Sequence, residues 1–135
     1  SERYNIGGKD LLAGNFKIYA NDQAYHNYLF PTVRFGAGYL LENMVYVELL
    51  RKGYRVNTGI LRNHEIDFVA VKDTRTLYIQ VAYMLVDDTT AEREYSALEA
   101  IKGSAERLLV TLDDFRYPVR NSIHHLRPWE LTEVL

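Results

Sequence analysis

The sequence predicts an α/β domain, a mixed central sheet flanked by helices in the order helix, strand, strand, strand, helix, strand, with an N-terminal hairpin. Three observations carry that expectation. From Tyr39 to Lys52, apolar residues at Leu40, Leu41, Met44, Val45, Val47 and Leu49 form a helical stripe, and Gly53 stands where a glycine ends a helix. Ile66 to Val71 and Leu77 to Met84 read as strands joined by the polar turn Lys72-Asp73-Thr74-Arg75. A second helical pattern, Ala91, Tyr95, Leu98 and Ile101, then leads to the short apolar strand Leu108 to Leu112.

The 135 residues suit one domain, 1–135, with a single core. Apolar residues at 47% and charged residues at 25% are the composition of a chain that folds. A formal net charge of -2 excludes a protein that coats nucleic acid by overall charge, though not a local basic patch. With no cysteine there is neither a disulfide framework nor a thiolate zinc site, which fits an intracellular protein. No apolar run approaches the ~20 residues of a membrane helix, and the first residues do not form a secretory signal. Cytoplasm is the expected compartment. The chain opens at Ser1 on a strand-like pattern, so it is expected to be a piece of a longer protein.

In order, Lys9 to Ala20 carries two apolar runs around Ala13-Gly14-Asn15, the pattern of a hairpin. Gly7-Gly8-Lys9 is a turn and not a phosphate loop, because Arg3 and Asp10 occupy the positions where a Walker motif needs Gly and Ser or Thr. Asp22 can cap a short helix through Tyr28, stopped by Pro31. Glu42 falls near the first turns of the next helix, where a carboxylate suits the dipole. Tyr54 to Ile60 alternates as a strand. On the following strand, alternation places Glu65, Asp67 and Val69 on one face and Ile66, Phe68 and Ala70 on the other. Tyr78, Gln80 and Ala82 share a face of the next. Thr89-Thr90-Ala91-Glu92 offers a capping box for the second helix. From Asp113 the chain reads as irregular until a final helical turn between Trp129 and Leu135.

Gly38-x-x-x-Glu42-Asn43-x-Val45-x-x-Glu48-Leu49, then Arg51-Lys52-Gly53-Tyr54, then Glu65-Ile66-Asp67-Phe68-Val69 resembles the DUF4143 domain, within the PD-(D/E)XK superfamily of restriction-endonuclease-like folds. The resemblance covers nearly the whole chain. It implies a C-terminal domain of an AAA-type ATPase, with the protein's own N-terminal ATPase module as partner and that module absent from this sequence. It also implies a nuclease-type site in which Glu42 is the helix acid, Asp67 the strand acid and Gln80 the next ligand position. The lysine of that pattern falls at Ala82, where members of the family often read Glu-Val-Lys and this chain reads Gln80-Val81-Ala82.

Phosphodiester hydrolysis of that kind uses Mg²⁺ held by few protein oxygens, so Glu42, Asp67 and the Gln80 carbonyl form the candidate metal set. Loss of one preorganised cation typically costs ~10²–10³ in rate, which makes the site degenerate unless another cation replaces Lys. Lys72 has the wrong parity on its strand, and Arg93 lies opposite the apolar stripe of its helix. Each acid also has a structural reading: Glu42 as a helix carboxylate, Asp67 as a partner of Arg62, and Gln80 as a buried amide tying elements together. Glu48 projects from another side of the helix than Glu42. His64 is too isolated for a metal site, and His124-His125 lacks ligand spacing. Arg116, Arg120 and Arg127, with two histidines and no acid between Phe115 and Trp129, are the better of two basic areas for a DNA or partner surface; the other is Arg51, Lys52 and Arg55.

Three functions follow: a catalytically degenerate accessory domain used for DNA binding or assembly, an active Mg-dependent nuclease with a relocated cation, or a protein-interaction module with no nucleic-acid role.

Overall fold

A computed structural model describes residues 3–6, 10–12, 37–114 and 117–135. Among them, seven strands form one mixed sheet in the order β2-β1-β3-β4-β5-β6-β7. The elements are β1 (Arg3–Asn5), β2 (Asp10–Leu12), α1 (Ala37–Arg51), β3 (Arg55–Leu61), β4 (His64–Lys72), β5 (Arg75–Val81), α2 (Asp88–Glu99), β6 (Glu106–Val110), β7 (Ile123–Leu126) and α3 (Pro128–Val134). The α/β class and the flanked mixed sheet are as expected.

The first helix follows its sequence pattern closely. Leu41, Val45 and Leu49, four residues apart, are its buried ridge, whereas Leu40, Met44 and Leu50 remain exposed. Gly53, at φ 87°, ends it: its N–H reaches the Leu50 carbonyl and the Tyr54 N–H reaches Leu49, the paired bonds of a Schellman close. Because α1 starts at Ala37, Glu42 lies in the second turn, beyond the first-turn amides where a carboxylate gains most from the dipole.

The chain β3-β4-β5 is an antiparallel meander, and α2 carries it to β6, which pairs parallel with β5. Two cores result. On one face Leu41, Val45 and Leu49 of α1 and Leu131 of α3 pack on Phe68, Ala70, Leu77, Ile79 and Val81. On the other, Tyr95, Ala97 and Leu98 of α2 pack with Ile66, Leu109 and Ile123.

Ile66 and Phe68 therefore lie in different cores, which corrects the simple alternation expected for that strand. The cause is a bulge. Asn57 pairs with Val69 and Gly59 with Ile66, so three steps on β4 face two on β3. Gly59 fits against that bulge because a Cβ there would stand 2.8 Å from Val69 Cγ2 and 3.1 Å from Ile66 Cβ.

Two further expectations are corrected, and two others fall on residues outside those described. The run before Ala13 pairs back onto β1 (Arg3 with Leu12, Asn5 with Asp10), while the turn around Ala13-Gly14-Asn15 and the helix from Asp22 to Tyr28 lie outside the described residues. The cap of α2 is Asp87 and not Thr89: its carboxylate accepts the Thr90 N–H at 2.7 Å, a bond that lowers the Asp87 pKa. The stretch after Asp113 is not irregular throughout, since Ile123–Leu126 forms β7, parallel to β6.

Candidate functional site

The expected site residues Asp67 and Gln80 meet where β4 and β5 part. Ladder pairing between these strands runs from Lys72 and Arg75 to Phe68 and Ile79 and then stops, because the bulge carries Asp67 out of register. Side chains close the gap. The Val81 N–H donates to Asp67 Oδ2 at 2.8 Å, the Asp67 N–H donates to Gln80 Oε1 at 3.1 Å, and Gln80 Nε2 reaches the Glu65 carbonyl at 3.5 Å. Each substitutes for a main-chain bond that a regular pair would have made. Asp67 is 8% exposed, so its carboxylate acts on a nearly dry backbone.

Gln80 and Ala82 share a face, as alternation required: Leu77, Ile79 and Val81 belong to the α1 core, while Tyr78 and Ala82 pack against the α2 core. The position of the lysine in the resembling pattern is thus a methyl group on apolar neighbours. Lys72 lies over the Tyr54 ring, 5.6 Å from its centroid, and Arg93 pairs with Glu94 at 3.2 Å on an exposed side chain. Neither cation is directed at the Asp67–Gln80 opening by these contacts.

Glu42 is half-buried on α1, beside Tyr39, whose hydroxyl pKa is raised by burial first and by the Glu42 charge second. It is not a partner in the hydrogen bonds that join Asp67 to Gln80. Among the described residues no group of three or more His, Asp or Glu side chains is placed to hold a metal ion. Oδ2 of Asp67 and Oε1 of Gln80 each accept a backbone N–H group.

The expected basic surface is engaged within the chain. Arg120 donates to Glu92 at 2.6 and 2.9 Å, pairs with Glu99 at 2.6 Å, and lies over the Tyr95 ring. Glu92 is held below its ordinary pKa by that bond. Arg127 donates to Glu130 at 2.8 and 3.0 Å and stacks over Trp129. Arg116 lies outside the described residues. Of the other basic area, Arg51 pairs with Glu48 at 3.1 Å, and Glu48 also accepts from the Thr132 hydroxyl.

One polar cluster was missed from sequence. Thr111, Asp113 and His125 are all buried, and Thr111 Oγ1 lies 2.6 Å from His125 Nε2 and 2.7 Å from Asp113 Oδ2. The signal was present in Ile123-His124-His125-Leu126: read as a strand, it places His125 on the side of Ile123, which is buried, and His124 on the exposed side.

No family model matches the chain, and no solved structure matches it. It is similar to an uncharacterized protein of Haemophilus influenzae, 37% identical over 113 residues that cover 82% of this chain and 27% of that protein. It is also similar to an uncharacterized protein of Methanocaldococcus jannaschii, 41% identical over 70 residues, 48% of this chain and 15% of that protein. The chain thus spans about a quarter or less of the length of these curated relatives.

Proposed function

We propose that this chain is a catalytically degenerate, nuclease-like accessory domain with a restriction-endonuclease-like core, serving assembly within a longer ATPase of the DUF4143-containing kind. The order α1, β3-β4-β5 meander, α2 on the opposite face and parallel β6 supports that core. One observation carries the loss of catalysis: the Asp67 carboxylate and the Gln80 amide are spent on the backbone of the β4–β5 opening, and Ala82 offers no charge beside them.

Assembly is favoured over DNA binding by what the surface offers. Arg120 and Arg127 face carboxylates of their own chain, which removes the attraction a phosphate would need. Between α1 and α3, Met44, Val45, Pro128, Trp129 and Leu131, together with the hydrogen-bonded pair Glu48 and Thr132, line a mainly apolar groove of about 280 Å³, with Met44 and Trp129 more than half exposed. An apolar surface of that kind suits contact with protein. Relatives several times longer than the matched stretch supply further chain for such contacts.

The test is a calorimetric titration with Mg²⁺ and then Mn²⁺, on the chain and on Asp67→Asn, beside a DNA titration at low and moderate salt. The expected result is no metal binding and no salt-dependent DNA association. Metal binding that disappears in Asp67→Asn would overturn the degenerate reading in favour of an active Mg-dependent nuclease. DNA affinity that falls steeply with salt would replace assembly by nucleic-acid binding.

A further inference from the structure

The helix α1 carries more apolar surface than its core uses. Beside the buried ridge of Leu41, Val45 and Leu49 runs a second line, Leu40, Met44 and Val47, at the i, i+4, i+7 spacing of one helical face. Leu40 is 39% and Met44 59% exposed, and Val47 is half-buried. A surface helix ordinarily turns charged or polar residues outward there. The short helix α3 lies against α1, its Thr132 hydroxyl donating to Glu48 Oε1 at 3.2 Å, and it brings Trp129, 61% exposed, to the same groove as Met44. Val45 and Leu131, both buried, form the floor. Arg127 lies over the Trp129 ring, 5.4 Å from its centroid, and is itself held by Glu130, which steadies the indole.

We propose that this groove receives an amphipathic helix from another part of the same, longer polypeptide, laid along α1 with its apolar residues three and four apart. That occupant rests on the reading of the chain as an assembly domain of a longer protein. Shape argues for a helix. At about 280 Å³ the groove falls below the ~300–1,000 Å³ of a small-molecule pocket, and with Met44 and Trp129 more than half exposed it does not envelop a ligand. Its walls are helices and not a sheet edge, so an added strand would have no ladder to extend. The line Leu40-Met44-Val47 instead matches the anchor spacing of a helix lying in a groove. Size argues for the same polypeptide. A freely diffusing partner needs ~20–30 residues a side for a standard interface, and this patch offers far fewer. A covalently joined segment starts from an effective concentration on the order of millimolar, at which a small apolar patch suffices. The matched stretches are 27% and 15% of the two relatives, so most of each relative lies outside them and is available to supply such a helix.

Trp129 is the single tryptophan of the chain, so its fluorescence reads the groove directly. The test compares this chain alone with the full-length protein that carries it. Acrylamide quenching of Trp129 is followed in both, assigned in the longer protein by subtracting the Trp129→Phe variant, and a benzophenone side chain introduced at Met44 serves for photo-cross-linking. The expected result is a freely quenched indole in the chain alone and quenching about fivefold weaker in the full-length protein, as the packed indole loses its water. Cross-links should fall on one segment outside these 135 residues, at positions three or four apart. Met44→Glu, at an exposed position, should leave the fold of the chain unchanged and return quenching in the full-length protein to that of the chain alone. Equal quenching in both proteins, or no cross-link, would overturn the proposal and leave assembly without this surface. Cross-links at every second position of the segment, the mark of a strand, would overturn the helix. Cross-links confined to a second copy, told by mixing isotopically light and heavy protein, would overturn the occupant while assembly stands. The degenerate site is tested separately, by the metal titrations.

Discussion

The carboxylate of Asp67 accepts the backbone N–H of Val81 at 2.8 Å, across a strand pair whose regular ladder ends at Phe68 and Ile79. A buried acid in this position stands in for a missing carbonyl. Its removal leaves a donor in a dry place with nothing to bond.

Asp67→Ala is therefore expected to lower unfolding stability by about 2 kcal/mol, and Asp67→Asn, which retains an acceptor oxygen, by clearly less. Urea denaturation of both variants, with Gln80→Ala to complete a double-mutant cycle, measures this. Because Asp67 and Gln80 bridge the same opening, their coupling should be about 1 kcal/mol. Equal, negligible effects of both Asp67 substitutions would mean the carboxylate is not a structural acceptor.

The second expectation follows from the bulge that creates this opening. Gly59 lies where a Cβ would stand 2.7 Å from Ile6 Cδ1 and 2.8 Å from Val69 Cγ2. Both neighbours are side-chain ends, but Ile66 Cβ at 3.1 Å is fixed close to the backbone. Gly59→Ala should cost about 1–3 kcal/mol as an overpacked site. The same exchange at Gly38, which has open space around it, should be close to neutral or stabilising, since it lies in the first turn of α1. Similar melting temperatures for the two variants would contradict this account.

What was legible in the sequence was whatever a local pattern fixes. The spacing of Leu41, Val45 and Leu49 gave α1, Gly53 gave its end, and alternation along Leu77, Ile79 and Val81 placed Gln80 and Ala82 on one face. Asp67 and Gln80, expected in one site with Glu42, are joined by the bond from the Asp67 N–H to Gln80 Oε1, in which Glu42 takes no part. What the pattern does not contain is the bulge, because an extra residue in β4 leaves composition unchanged and is decided by pairing with β3. That single residue separates Ile66 from Phe68 and turns Asp67 toward the Val81 amide. β7 escaped for a similar reason: four residues with two histidines carry little strand signal, and parallel pairing with β6 makes them one. The arginines were read without the acids of α2, which approach Arg120 only through the fold.

A pH expectation rests on Arg75 and Glu106 at the other end of β5 and β6. Arg75 donates to Glu106 at 2.7 and 2.9 Å and to the Tyr54 hydroxyl at 3.0 Å. The hydrogen bond from Arg75 is the largest influence on Glu106, holding its carboxyl pKa below the ordinary value against a smaller opposing effect of burial. A carboxylate with a depressed folded pKa stabilises above its unfolded value, near ~4.3, and that contribution is lost as pH falls through the folded pKa. Arg75→Gln should lower stability at neutral pH and flatten the acid limb below about pH 4.3. Parallel acid limbs for the two proteins in chemical denaturation would show that the pair contributes nothing to pH dependence.

The last expectation concerns a hydroxyl. Tyr95 is 3% exposed, and its OH has no hydrogen-bond partner among the described residues, although its ring lies under Arg120. Tyr117, a neighbour that helps raise the Tyr95 pKa behind the larger effect of burial, does have a partner in the Leu85 carbonyl. Tyr95→Phe keeps the ring and removes only an unsatisfied group, so stability should stay level or rise, by up to about 1 kcal/mol. Tyr117→Phe deletes an existing bond and should cost about 1 kcal/mol by the same measurement. The contrast in sign is the informative readout, because both changes remove one oxygen from a tyrosine beside the same polar cluster. A loss on Tyr95→Phe as large as on Tyr117→Phe would mean that an ordered water satisfies the Tyr95 hydroxyl, joining it to the cluster as a working member.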